Sequence, residues 1–352
     1  MASVDLTVMG AGAWGLAVAV ACARRGAHVR VIDPAGPAAG ASGGIVGALA
    51  PHVPEQWNDK KAFQLEALLM AEAYWADIAR LSGSDPGYAR TGRLHPLADA
   101  AAVARAEERA RGAADLWLGR AEWRVIAAHE GGWGGDWAPA SPSGMLVHDT
   151  LTARLHPRRA TLALAGALET LGGEIACEGL PEGPVVWATG VAGLEEISAL
   201  AGKTAGTGVK GQAALLRPRG FDAADMPQLF IDGLHAVPHA DGTVGIGSTS
   251  ERDYDDGTAT DAQLDELIAR AHGICPALVE AEVVARWAGV RPRARSRAPM
   301  LGSHPFRDNA FIANGGFKIG FGMAPKVAGV MADLMLNGQD GIPQGFRVED
   351  SL

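Results

Sequence analysis

Residues 4–33 leave this chain few ways to fold. Val4, Leu6 and Val8 alternate with Asp5 and Thr7, and Gly10-Ala11-Gly12-Ala13-Trp14-Gly15 follows at once. The alternation predicts a short buried strand. The apolar run from Trp14 to Arg25 predicts a helix, and Gly26 sits where a left-handed cap would end it. His28 to Ile32 predicts a second strand with Asp33 at its end. This G-x-G-x-x-G predicts dinucleotide binding: Gly10 for the tight turn, Gly12 for close approach of a pyrophosphate, Gly15 for close packing of helix on strand. The helix N-terminus offers N–H groups and a positive dipole end to phosphate, with Ala13 and Trp14 in its first turn. Asp33 lies near the ~20-residue spacing expected of a ribose-binding acid. A carboxylate there would repel a 2′-phosphate, which argues against NADP.

A second glycine-rich loop follows, Ala41-Ser42-Gly43-Gly44-Ile45-Val46-Gly47. A nicotinamide enzyme has no need of it. FAD is longer and would run from the first helix past such a loop, where small residues admit the flavin ring. Ser42 can hydrogen-bond phosphate or ribitol, with Gly43 and Gly44 beside it. A third glycine turn, Gly315-Gly316-Phe317-Lys318-Ile319-Gly320, lies between the expected strand Ala310–Asn314 and a helix from Met323 to Leu336. It would bring another helix N-terminus to the cofactor.

Between these turns the pattern predicts helices at 60–81, 100–118, 158–171 and 261–272, the last capped by Thr260. The apolar stretch from Pro184 reads as a central strand running into Thr189-Gly190, where such sheets meet their ligand. Arg90–Leu97, Glu174–Cys177 and Gly208–Leu216 read as strands. The turns Asp232-Gly233 and Asp241-Gly242 predict hairpins within 229–248. Val283–Val290 is a further strand running into Arg291-Pro292. Trp133 and Trp137 could line a pocket or pack under their loop.

At 352 residues, two domains are the natural expectation. The predicted class is α/β: a Rossmann-type FAD-binding domain (1-84, 145-207 and 300-352) with an inserted antiparallel-sheet substrate domain (85-144 and 208-299). A net charge of −9 fits a nucleic-acid surface poorly. Cys22, Cys177 and Cys275 show no pairing pattern, so a reducing, cytoplasmic setting is expected. There is no secretory n-region, no apolar run reaches the ~20 residues of a membrane span, and no spacing suggests a metal site.

Taken together, these pieces resemble the FAD-dependent amino-acid and amine oxidase superfamily, the D-amino-acid oxidase, glycine oxidase and sarcosine oxidase group. The resemblance rests on GAGAWG with Asp33, ASGG at 41–44, WATG at 187–190, VKGQ at 209–212, GVRPRARSRAPMLG at 289–302 and NGGFKIGFGMAPKVAGVMADL at 314–334. It implies FAD, oxidation at a carbon next to nitrogen, and a small amine or amino-acid substrate bearing a carboxylate. Arg291 matches the arginine that forks onto that carboxylate in glycine-oxidase-like members, and Lys318 the sarcosine oxidase lysine with a similar role. A planar guanidinium suits two oxygens. Arg293, Arg295 and Arg297 follow Arg291, so a solvated basic loop is the plainer alternative. No cysteine in the third turn could form a flavin thioether, and no lysine is identified for O₂ activation. His52, after the second loop, is a candidate for tuning substrate ionisation, and His235 and His239 are weaker ones. Two other readings stay open: a demodification enzyme acting on N-carboxymethylated tRNA wobble uridine, and a flavin-bearing non-catalytic subunit of a hetero-oligomeric dehydrogenase.

Overall fold

A computed structural model describes residues 3–133 and 135–352; Gly134, within the GGWGGDW loop, lies outside the described residues. Two sheets organise the chain. The first has the order Met300–Ser303, Ala310–Asn314, Val185–Trp187, Leu6–Met9, Val29–Ile32, Glu174–Ala176. All its neighbours pair in parallel except Met300–Ser303, which runs antiparallel to Ala310–Asn314. The parallel strands come from the start, middle and end of the chain. The inner strands Leu6–Met9, Val185–Trp187 and Ala310–Asn314 are short and mostly apolar, as expected of strands covered on both faces, while the edge strand Glu174–Ala176 is half-exposed.

The helices Ala13–Ala23, Asp59–Ser82, Pro157–Thr170 and Gly320–Asn337 pack on one another and on this sheet. Ala13–Ala23 is buried along its whole length, so it reads as uniformly apolar rather than amphipathic. The long helix Asp59–Ser82 has ordinary ends: Asn58 accepts from the Lys61 N–H, and Gly83 closes it at φ 66°.

The second sheet has eight strands, in the order Glu282–Ala294, Gly206–Arg217, Val244–Gly247, Leu234–Pro238, Gln228–Ile231, Arg93–Pro96, Met145–Asp149, Trp123–Ala127. It is antiparallel apart from the pair Gln228–Ile231 and Arg93–Pro96. Met145–Asp149 belongs to this sheet although the expected boundary at 145 puts it on the nucleotide side. One face of the sheet packs a separate core with the helix Ala262–His272, centred on Leu94, Ala214, Leu216, Leu229, Leu234 and Ile246. Trp137 is fully buried there, donates to the Pro227 carbonyl and stacks on Phe221, so it packs under its loop. Asp261, not Thr260, caps the helix: its carboxylate accepts the Gln263 N–H.

The strand predicted to end at Val290 continues to Ala294 through Pro292. It is the sheet's edge, where a residue without an N–H is tolerated. Arg291 therefore stands on a strand, not in a solvated loop.

Candidate functional site

The three glycine turns meet. A Cβ at Gly10, whose φ is +107°, would lie 2.5 Å from the Ala188 carbonyl oxygen, and one at Gly15 would lie 2.0 Å from that of Gly10. Only glycine lets the first turn fold this tightly between strand and helix. Ser42 Oγ accepts the Ala13 N–H at 3.0 Å, tying the second loop to the first helix. The Trp14 indole donates to the Gly320 carbonyl at 2.7 Å, and Gly316 lies against the Trp14 ring, tying the third turn to the same helix. Asn314 reaches the Gly190 carbonyl at 2.8 Å, joining the third turn to the Thr189-Gly190 turn.

Helix capping separates this corner from the rest of the molecule. Asn58, Asp99 and Asp261 each cap an outer helix through the side chain. The helices beginning at Ala13, Gly190 and Gly320 have no side-chain cap from the residue before them and no acid in the first turn, the Ala13 N–H alone being taken by Ser42. Their N–H groups and positive dipole ends converge where the parallel strands end. An uncapped N-terminus is an anion seat, and three together suit a pyrophosphate and an electron-accepting ring. Thr189 Oγ1 is buried there without a hydrogen-bond partner. The Asp33 carboxylate accepts the Ala11 N–H at 2.8 Å and the Ala35 N–H at 3.0 Å, fixing it at the end of its strand with lone pairs to spare. The residues present thus fit FAD.

The eight-stranded sheet turns its other face to the second glycine loop. Trp287 lies over Gly44, Gly245 against the Ile45 carbonyl, and Gly247 against Val46. Strand alternation puts Trp287, Gly289, Arg291 and Arg293 on this face, with Gly211, Gly247 and His235 on the neighbouring strands. The floor is small residues from which a few side chains rise. The Arg291 guanidinium lies flat over Gly211, where a Cβ would come within 1.7 Å of its Nη1. That Nη1 is buried without a partner. Burial pushes the Arg291 pKa down to about 10, with Glu251 opposing. Lys318, on the third turn, is lowered by burial and then by Arg291 and Arg293. Phe317, held at φ +40° with its N–H on the Pro292 carbonyl, carries Arg293 at 5.6 Å and Lys318 at 5.7 Å from its ring centre. So the structure brings Arg291 and Lys318 together, with Arg293 as a third cation.

His235 stands on the same face, its Nδ1 buried without a partner. Burial first, then Arg93 and Lys318, lower its pKa to about 3, so it is neutral near pH 7. His52 is not gathered into this group: it is exposed and tied to the Gln64 side chain, both its N–H and its ring meeting Oε1. His239 donates from Nε2 to the Ile45 carbonyl and leans on His156. Arg295 donates to the Leu352 carbonyl and Arg297 is exposed in a turn, so neither faces the site.

The sequence reading did not single out Trp287, Gly211, Gly245, Gly247, Phe230 or His95 as site residues. The alternation Trp287, Gly289, Arg291, Arg293 was a usable signal once the strand was carried through Pro292. The Asp232-Gly233 turn sets Phe230 opposite His235. His95 contacts Phe230 edge-on, and Arg93, ion-paired with buried Asp149 at 2.9 Å, lies over the same ring. Nothing local in the sequence announces that pairing.

Comparison with known proteins follows the same outline. The family described as FAD dependent oxidoreductase matches residues 5–334. The glycine oxidase of Pseudomonas aeruginosa is 36% identical over 129 residues, which span 36% of this chain and only 34% of that protein. The putative thiamine biosynthesis oxidoreductase ThiO of Rhizobium etli is 29% identical over 357 residues, covering 95% of this chain and 97% of that one. The crystal structure of glycine oxidase from Geobacillus kaustophilus superposes with a TM-score of 0.84 at 20% identity, covering 98% of both chains, and so has the same fold.

Proposed function

The chain belongs to the FAD dependent oxidoreductase family and takes FAD, and from that premise we propose that it oxidises the C–N bond of an amino acid or N-substituted glycine. The observation that carries this reading is the buried, unpartnered Nη1 of Arg291, with Lys318 beside it, on the sheet face against the second glycine loop. A substrate carboxylate would satisfy that nitrogen and relieve the repulsion between the two cations. The bound flavin supplies the acceptor for a hydride from the carbon next to nitrogen.

The chain's own residues do the rest. Arg291 presents a planar fork that fixes the carboxylate in two directions and so aims the α-carbon. Gly211 leaves the room in which the Arg291 guanidinium lies, and Gly245 and Gly247 let the second glycine loop close onto the sheet. His235, neutral and short of one partner at Nδ1, can accept a hydrogen bond from the substrate N–H and adds no positive charge beside the nitrogen. A hydride leaves more readily from a neutral amine than from an ammonium ion, so a neighbour that stays neutral helps. The names of the glycine oxidase relatives support a small amino-acid substrate. The small-molecule reading over a tRNA one is supported by the fate of the basic run: Arg286 pairs with Asp265 and Arg295 with a backbone carbonyl, leaving Arg291 and Arg293 for the interior face.

Anaerobic addition of glycine, sarcosine, D- and L-amino acids and secondary amines, followed by loss of flavin absorbance, tests the reading. At least one should bleach the flavin, and a protein that none of them bleaches would overturn it. Arg291→Ala should lower kcat/KM for that amine by roughly 10³-fold, mostly in KM, as expected for losing two charged hydrogen bonds of about 2 kcal/mol each. It should retain its flavin.

A further inference from the structure

We propose that the preferred substrate is a secondary amine carrying two acid groups, the second of them read by Arg293. This rests on the amine-oxidising reading above and names its substrate class. Among the described residues, no carboxylate makes an ion pair with Arg291, Arg293 or Lys318, and none of the three donates a side-chain hydrogen bond. Elsewhere several buried or half-buried cations have a carboxylate partner, Arg93 in Asp149, Lys210 in Glu251 and Asp261, Lys326 in Glu66, while buried Arg154, without an ion pair, donates to the Pro238 carbonyl. Glu251 is the one acid acting on Arg291, and it is already engaged by Lys210 and Gln212.

Three cations therefore share one face with nothing of opposite charge. They repel one another, since Arg291 and Arg293 both lower Lys318. One substrate carboxylate neutralises a single charge and leaves the rest unbalanced. A second acid group on the far side of the amine nitrogen offsets another, leaving one positive charge among the three instead of two. Arg293 is placed to meet it. It shares the strand and the face of Arg291, two residues along, and rests on the same Phe317 ring as Lys318. Its Cα lies about 7 Å along the strand from that of Arg291 at ~3.4 Å per residue, a separation that two long side chains on one face can close onto acid groups flanking a single nitrogen. The chemistry is unaltered. The Cα–H bond breaks with its electron pair going to FAD, nitrogen loses a proton as C=N forms, and water then cleaves that bond to an amine and an oxo acid.

Sarcosine and iminodiacetate make a matched pair, differing only in whether the N-substituent ends in hydrogen or carboxylate. In anaerobic bleaching and steady-state turnover, kcat/KM for iminodiacetate should exceed that for sarcosine at least tenfold. Arg293→Gln should shrink that ratio about tenfold, and Arg293→Lys should restore part of it. The inert pair glutarate and butyrate, read by perturbation of the flavin spectrum, should show glutarate binding at least tenfold tighter. Equal values within each pair, or a ratio indifferent to Arg293→Gln, would overturn the two-acid reading while leaving amine oxidation in place. If no amine bleaches the flavin, the glutarate comparison still decides whether the site prefers a dianion.

Discussion

The two sheets solve opposite problems. At the parallel sheet the candidate cofactor corner is built of backbone: uncapped helix ends, N–H groups and turns too tight for any side chain. In the eight-stranded sheet the backbone is a flat support, and what stands out is a few charged side chains left without partners. A cofactor shared by a whole family is best held by geometry that tolerates no change. A substrate that differs between members is best read by side chains that can be exchanged on an unchanged floor.

Adding one methyl group in each region breaks or sharpens this contrast most directly. In Gly15→Ala the new Cβ meets a backbone oxygen at 2.0 Å, which cannot move without opening the turn. We expect loss of FAD and a stability loss of upwards of ~4 kcal/mol, read as flavin per protein and melting temperature. If Gly15→Ala retains full flavin, rigid backbone packing is not what seats the cofactor. Asp33→Ala removes the carboxylate that accepts the Ala11 N–H and that the ribose reading assigns to the cofactor. It should weaken FAD retention about 10–100-fold, the worth of one or two charged hydrogen bonds. Unchanged cofactor content would contradict the ribose role. In Gly211→Ala the new methyl meets a flexible guanidinium, not backbone. Arg291 should swing aside, KM rising roughly tenfold with flavin content and melting temperature little altered. A variant that sheds FAD instead would mean the two regions are not separable.

The smallest effect is in pH. His235 and His239 are lowered to about 3 and about 4, chiefly by burial, so the folded chain resists the protons that the unfolded chain takes up from pH 6.5 downward. Their neutral burial is without cost above pH 6.5, and stability is lost as pH falls from there towards 3. Melting temperature should decline through that window, and His235→Gln should flatten the decline. A curve identical in the variant would show that His235 takes up its proton as readily in the folded chain as in the unfolded one.

The nucleotide corner was legible because its signals are local. Gly10, Gly12, Gly15 and Asp33 lie within one strand–helix–strand unit, and each glycine answers a clash with a near neighbour. The family resemblance, which singled out Arg291 and Lys318, extended that reading to the ligand face. Their surroundings were not legible. His52, close in sequence to the second loop, turns to Gln64 instead. His235 comes close enough to feel Lys318, 83 residues away in the chain, because two hairpins and an edge strand place it there.

By itself the sequence determined the turns, the helices they launch and the cofactor those turns admit, since steric exclusion around a glycine acts over a few residues of chain. Only the tertiary structure decided which charges go unpaired. An ion pair depends on which strands become neighbours, and Arg93 finding Asp149 while Arg291 finds no acid is a result of sheet order that no local pattern records.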